Sequence, residues 1–104
     1  MADTIIGNNI AIEGDITGSD SLTIFGVVRG RINVKESVTI SQSARVEADV
    51  ESASVEVSGQ VHGNITAVDK VELKSGGRLV GDVKAPRILI ADGASFKGNI
   101  NMVG

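Results

Sequence analysis

The sequence predicts an all-β solenoid, in which the chain winds through six stacked coils of about 17 residues each. Three observations indicate this fold class: many β-branched residues, a recurring motif, and apolar residues that alternate with a period of two. Ile and Val supply 26 of the 104 residues, whereas the chain has two Phe and no Trp or Tyr. β-branched residues suit pleated strands. A core without large aromatics must be thin, as it is in a narrow solenoid.

The recurring motif is a small residue, a polar residue and then Ile or Val. It occupies residues 14–16, 30–32, 48–50, 63–65, 81–83 and 98–100. An apolar segment precedes each copy, at 4–6, 22–24, 38–40, 55–57, 71–73 and 88–90. Alternation within these segments predicts about three strands of three to five residues per coil. Because one coil cannot bury its own apolar face, the coils must stack into a single domain over 1–104.

The regularity of the repeat separates two kinds of solenoid. Left-handed hexapeptide helices repeat an aliphatic residue every six positions, and each of their coils holds three hexapeptides without slippage. In this chain the spacing of the motif varies, because the step from Ile65 to Val83 is three positions longer than the step from Val50 to Ile65. This slippage favours a right-handed parallel β-helix.

Composition narrows the function classes. The net charge is −3 with acidic and basic residues interspersed, which leaves no basic face for direct nucleic-acid binding. The chain has no cysteine and therefore no disulfide framework or thiolate metal site. It begins without the apolar stretch of a signal peptide and has no apolar run long enough to span a membrane. These features predict a cytoplasmic protein.

No pattern of catalytic residues stands out. His62, the only histidine, lies at a predicted outward position, where a solvated side chain is the simpler interpretation. A left-handed acyltransferase with His62 as its catalytic histidine is the alternative. Asp15, Asp49 and Asp82 would lie about 10 Å apart on one face, which is too far for paired acid/base work. The sequence therefore predicts no catalytic residue, no cofactor and no metal site.

The ends of the predicted rod are more informative than its faces. Only three residues precede the first coil and four follow Ile100, so we expect both ends to lack a cap. Such ends would leave apolar layers open and join copies of the chain end to end. The expected contact residues are Ile6, Ile12 and Ile16 in the first coil, and Ile88, Ile90, Phe96, Ile100 and Met102 in the last.

Three aliphatic residues fall at predicted outward positions: Ile5, Val80 and Leu89. They are candidates for a lateral contact between rods or for contact with a membrane. Single exposed aliphatic residues are common on protein surfaces, so a solvated face is the competing interpretation.

Three segments of the chain resemble the bactofilins, which are bacterial cytoskeletal proteins. They are Ile10-Ala11-Ile12-Glu13-Gly14-Asp15-Ile16, Gly26-Val27-Val28-Arg29-Gly30-Arg31-Ile32, and the closing Ala94-Ser95-Phe96-Lys97-Gly98-Asn99-Ile100-Asn101-Met102. The resemblance covers residues 4 to 102. It implies a right-handed β-helix of triangular cross-section and non-polar filaments that form without nucleotide. The end contact then falls on Phe96 and its neighbours.

The resemblance also implies roles and partners. Bactofilins act as scaffolds in cell-shape control, in placing cell-wall enzymes and in chromosome organisation. The expected partners are therefore further copies of the chain, and cell-wall enzymes or chromosome-segregation proteins. Many members carry an apolar N-terminal segment that binds the membrane, and Pro-rich tails. Both are nearly missing here, so a place at the inner face of the membrane is left open.

Overall fold

The computed structural model describes residues 4–19 and 21–102, which form a parallel β-solenoid. Its strands are β1 (Thr4–Ile6), β2 (Ala11–Gly18), β3 (Leu22–Ile24), β4 (Val27–Val34), β5 (Ser37–Ile40), β6 (Arg45–Val57), β7 (Gln60–His62), β8 (Ile65–Leu73), β9 (Arg78–Ala85), β10 (Ile88–Ile90) and β11 (Ser95–Met102). The strands wind into six coils, numbered from the N-terminus. The coils begin at Thr4, Leu22, Val38, Val55, Val71 and Ile88.

The register of the strands confirms the predicted repeat. Ile16 of β2 pairs with Ile32 of β4, and Ile32 pairs with Val50 of β6. The same column continues through Ile65, Val83 and Ile100. All these pairings are parallel, so equivalent residues of successive coils lie directly above one another. The aliphatic spacing in the sequence therefore corresponds to one turn of the solenoid.

Several strands are longer than the three to five residues that alternation predicts. In coils 1, 2, 5 and 6, two predicted strands run together into one strand of eight residues. The joining residue is a glycine with positive φ, at Gly14, Gly30, Gly81 and Gly98. Glycine adopts this conformation without a steric penalty, so the chain can bend there while its strand pairing continues.

The core is a column of Ile, Val, Leu and Ala side chains at the centre of the stack. The coil-2 to coil-5 residues of the predicted inward set are almost completely buried, among them Ile24, Ile32, Ile40, Ile65 and Leu79. Full burial of each aliphatic side chain contributes roughly 1.5–3 kcal/mol. Among the described residues, coils 2 to 5 are therefore covered on both faces, whereas coils 1 and 6 each have one face without a covering coil. The right-handed sense and the triangular cross-section stay predictions.

Candidate functional site at the ends of the solenoid

Each end of the solenoid presents strands that are paired on one side only. Among the described residues, β1 and β2 of coil 1 pair with β3 and β4. At the other end, β10 and β11 of coil 6 pair with β8 and β9. The outer edges of these strands therefore keep backbone N–H and C=O groups available for another chain.

The coil-6 end exposes a layer of apolar side chains. The inward residues of coil 6 continue the columns of the buried core, because Ile100 lies over Val83 and Phe96 lies over Leu79. Ile90, Ile100 and Met102 are nonetheless exposed, with Met102 at 62%. Ile88 and Phe96 are half-buried against the core. These residues would be buried if a further coil continued the stack.

The coil-1 end is more closed. Ile12 and Ile16 are half-buried and pack against the core. Ile6 is only 3% exposed and belongs to the core, so it does not present the open apolar surface that the sequence predicts for it. Ile10 Cδ1 lies 3.7 Å from where a Cβ on Gly7 would be, which places the Ile10 side chain beside the turn that follows Ile6. Ile10 is itself 48% exposed.

The predicted outward aliphatic residues differ in exposure. The first strand stack is the one formed by residues 4–6, 22–24, 37–40, 54–57, 70–73 and 88–90. Ile5 and Leu89 occupy the same column of this stack, Ile5 in coil 1 and Leu89 in coil 6. Both are more than half exposed. Val80 is outward in register beside His62 but is half-buried. Their role in a lateral or membrane contact stays a prediction.

Polar side chains on the outer faces form ladders along the axis. Arg29 Nε lies 3.1 Å from Glu47 Oε2 in the next coil. In a parallel ladder, Asn99 Nδ2 donates to Asp82 Oδ1 at 3.3 Å. His62 is exposed and continues the ladder that contains Arg29 and Glu47. Surface ion pairs of this kind contribute about 0–1 kcal/mol each to the stability of the fold. The ladders are therefore compatible neighbouring side chains on a solvated face and not a reactive site.

A compact charged cluster lies on the first strand stack. Lys74 Nζ forms an ion pair with Glu72 and lies 4.0 Å from Glu56 Oε1. Lys70 Nζ lies 3.5 Å from the other Glu72 oxygen. The hydrogen bond from Lys74 holds the pKa of Glu72 below its usual value and raises the pKa of Lys74. Glu72 and Lys74 therefore both stay ionised at neutral pH.

Replacing Lys74 with glutamine is expected to move the pKa of Glu72 back up toward its usual value, because the largest cause of its depression is the bond from Lys74. NMR titration of the Glu72 carboxyl would measure the change. A carboxyl with a depressed folded-state pKa stabilises the fold above its unfolded pKa, and this contribution is lost as the pH falls through the folded value. A parallel titration of Lys84→Gln serves as the control, and an unchanged Glu72 pKa in Lys74→Gln would contradict the assignment.

Within residues 4–19 and 21–102, three or more His, Asp or Glu side chains do not gather into a group that could hold a metal ion. Across the same residues, no helix is long and apolar enough to cross a membrane.

Sequence reasoning missed Val68, which is 79% exposed. Val68 falls between two predicted strands, so alternation does not predict whether its side chain points inward or outward. The available signal was the spacing between motifs, because the step from Ile65 to Val83 exceeds the step from Val50 to Ile65 by three positions.

Comparisons with known proteins agree with one another. The bactofilin family, described as polymer-forming cytoskeletal, matches residues 4–101. The chain is similar to bactofilin BacO of Myxococcus xanthus (strain DK1622), with 59% identity over 102 residues that cover 98% of this chain and 81% of BacO. It is also similar to BacN of the same organism, with 54% identity over 98 residues, or 94% of this chain and 87% of BacN.

A solved structure matches at the level of the fold. The chain resembles the subunit in the cryo-EM reconstruction of Thermus thermophilus bactofilin double helical filaments, with a TM-score of 0.84 and 29% identity. The match covers 93% of this chain and 98% of that one.

Proposed function

Because the chain belongs to the bactofilin family, we propose that it is a cytoskeletal scaffold subunit that polymerises end to end through coils 1 and 6. The family and the filament relative support self-polymerisation and not the acyltransferase alternative. The proposal assigns the contacts to named residues at each end. They are Ile12 and Ile16 in coil 1, and Ile88, Ile90, Phe96, Ile100 and Met102 in coil 6.

The observation that carries the proposal is the open apolar layer of coil 6. Ile100 and Met102 continue columns that are buried in the coils beneath them, yet they are exposed in the single chain. Covering them with another chain would remove apolar surface from water, which is the main favourable term in association. The half-paired strands at the same end could extend their hydrogen bonding into that chain.

The wider role follows from the polymer. A filament without enzymatic activity acts by positioning other proteins, and we include cell-wall enzymes or chromosome-segregation proteins as clients. The filament would lie in the cytoplasm, either free or at the inner face of the membrane. Thermus thermophilus bactofilin forms double helical filaments. We extend this pairing of two filaments to the present chain.

Electron microscopy of the purified chain tests the proposal. We expect filaments to form in a buffer without nucleotide or added metal, because the contact needs only apolar burial and backbone pairing. Pelleting assays with and without ATP, GTP and a chelator should give the same polymer fraction. A chain that stays monomeric or forms discrete trimers under all these conditions would refute end-to-end polymerisation.

A further inference from the structure

One edge of the solenoid is uneven, because the connections between successive coils differ in length. Residues 35–37 link coil 2 to coil 3, and residues 68–70 link coil 4 to coil 5. Only residues 53–54 link coil 3 to coil 4. The pairing register shifts at this point, where Ala53 alone faces both Val68 and Asp69 of coil 4. Such a shift makes one strand recede and the other bulge.

The short connection leaves a groove at coil 3, named here the coil-3 groove. The N–H groups of Ala53 and Ser54 both donate to the Glu36 carbonyl, at 2.8 and 3.2 Å, which holds this connection against coil 2. The groove has a volume of about 330 Å³. Val34, Ser52, Ala53 and Val68 line it, together with the polar or charged residues Asn33, Lys35, Glu51 and Thr66.

Val68 lies beside this groove and protrudes from it. Its side chain is 79% exposed, the highest value among the large hydrophobic residues that the structure describes. Its connection is one residue longer than those of the coils before and after it, so no neighbouring connection covers it. A large apolar side chain with this exposure is a candidate for contact with another protein.

We propose that Val68 of one chain inserts into the coil-3 groove of a second copy, and that the second copy's Val68 inserts into the groove of the first. A two-fold axis generates such a reciprocal contact whenever a protrusion and its groove lie on the same surface. Val68 and Ala53 are one coil apart along the rod. Only a two-fold axis perpendicular to the rod exchanges these two levels, so the paired rods run in opposite directions.

The groove that receives Val68 carries charges of both signs, because Lys35 and Glu51 both line it. Asp69 follows Val68 and accepts a hydrogen bond from Ser54 Oγ at 3.4 Å, which holds its carboxylate beside the protrusion. Lys35 lines the groove from the coil-2 side. The two-fold axis places Asp69 of each chain level with coil 3 of the other, one coil away from Lys35 and level with Glu51. Glu51 also lines the groove, and the Asn33 side-chain amide donates to it at 3.3 Å.

The contact is too small to hold two isolated chains together. One valine in a groove buries far less than the roughly 1,200 Å² of a stable interface. Repetition along a filament multiplies weak contacts, because each chain presents its groove and protrusion at the same place. This inference therefore rests on the proposed polymerisation, and it assigns the lateral surface that joins two filaments.

Cysteine crosslinking tests the geometry, since the natural chain has no cysteine. Val68→Cys chains and Ala53→Cys chains are mixed, assembled and oxidised, and the linked peptides are identified by mass spectrometry. We expect disulfides that join positions 68 and 53 of different chains. End-to-end neighbours cannot form this bond, because both positions lie in the middle of the rod. A mixture of Val68→Cys with His62→Cys is the control, since His62 is exposed in the same coil but lies on another face.

Electron microscopy supplies the second readout. We expect wild-type and His62→Lys chains to form paired filaments and Val68→Lys chains to form single filaments of normal length. Pairing of Val68→Lys filaments at the wild-type level, or a 68–53 crosslink no more frequent than the 68–62 control, would overturn the lateral contact. Filaments without the crosslink would leave end-to-end polymerisation standing, whereas the absence of filaments would remove both proposals.

Discussion

Replacing Phe96 with arginine is expected to abolish filaments while the solenoid stays folded. Phe96 of β11 lies over Leu79 of β9, at the open face of coil 6, and is half-buried in the single chain. An arginine there can reach water past the last coil as long as no second chain covers it. In the end contact the same guanidinium would be buried without a partner, which costs several kcal/mol. Since about 1.4 kcal/mol weakens an equilibrium tenfold, polymerisation should fall by orders of magnitude.

The measurement combines electron microscopy and sedimentation with far-UV circular dichroism. Ser95→Arg is the matched control, because it adds the same charge to the neighbouring exposed position of β11. We expect Ser95→Arg to polymerise as the wild type does and both variants to keep the β-sheet spectrum. Filaments of normal length from folded Phe96→Arg would refute the assignment of the contact to this end.

The column structure of the core could be predicted from the sequence. Its aliphatic residues recur once per coil, and parallel stacking requires equivalent residues to pair, as Ile16, Ile32 and Val50 do. Strand lengths were harder to predict. The bend at Gly30 interrupts the alternation of inward and outward residues, but the pairing of β4 with β2 continues through it. From alternation alone, a bend within one strand looks the same as a break between two strands.

The candidate end residues show a different limit. The repeat predicts which residues point inward in coils 1 and 6, but their exposure depends on what the adjoining loops do. Ile6 is buried at one end, whereas the equivalent Ile90 is half exposed at the other. Alternation predicts no strand at Val68. In the structure, one extra residue in its connection turns the Val68 side chain outward. The spacing of the motifs shows that coils differ in length by single residues, but only the structure shows which side chain such a difference turns outward.

Alanine at Gly81 is expected to destabilise the solenoid much more than alanine at Gly14, although both glycines occupy the same column and have positive φ, at 136° and 124°. Positive φ alone costs a residue with a Cβ about 1–3 kcal/mol. At Gly81 the new Cβ would also overlap the carbonyl oxygen of Gly63 in the preceding coil and lie 2.8 Å from its carbon, whereas at Gly14 it would meet nothing within 4 Å. Chemical denaturation of both variants in the Phe96→Arg background separates folding from polymerisation, which would otherwise stabilise the folded chain by mass action. Equal losses in the free energy of unfolding would mean that backbone strain, rather than the close approach of successive coils, explains the glycine column.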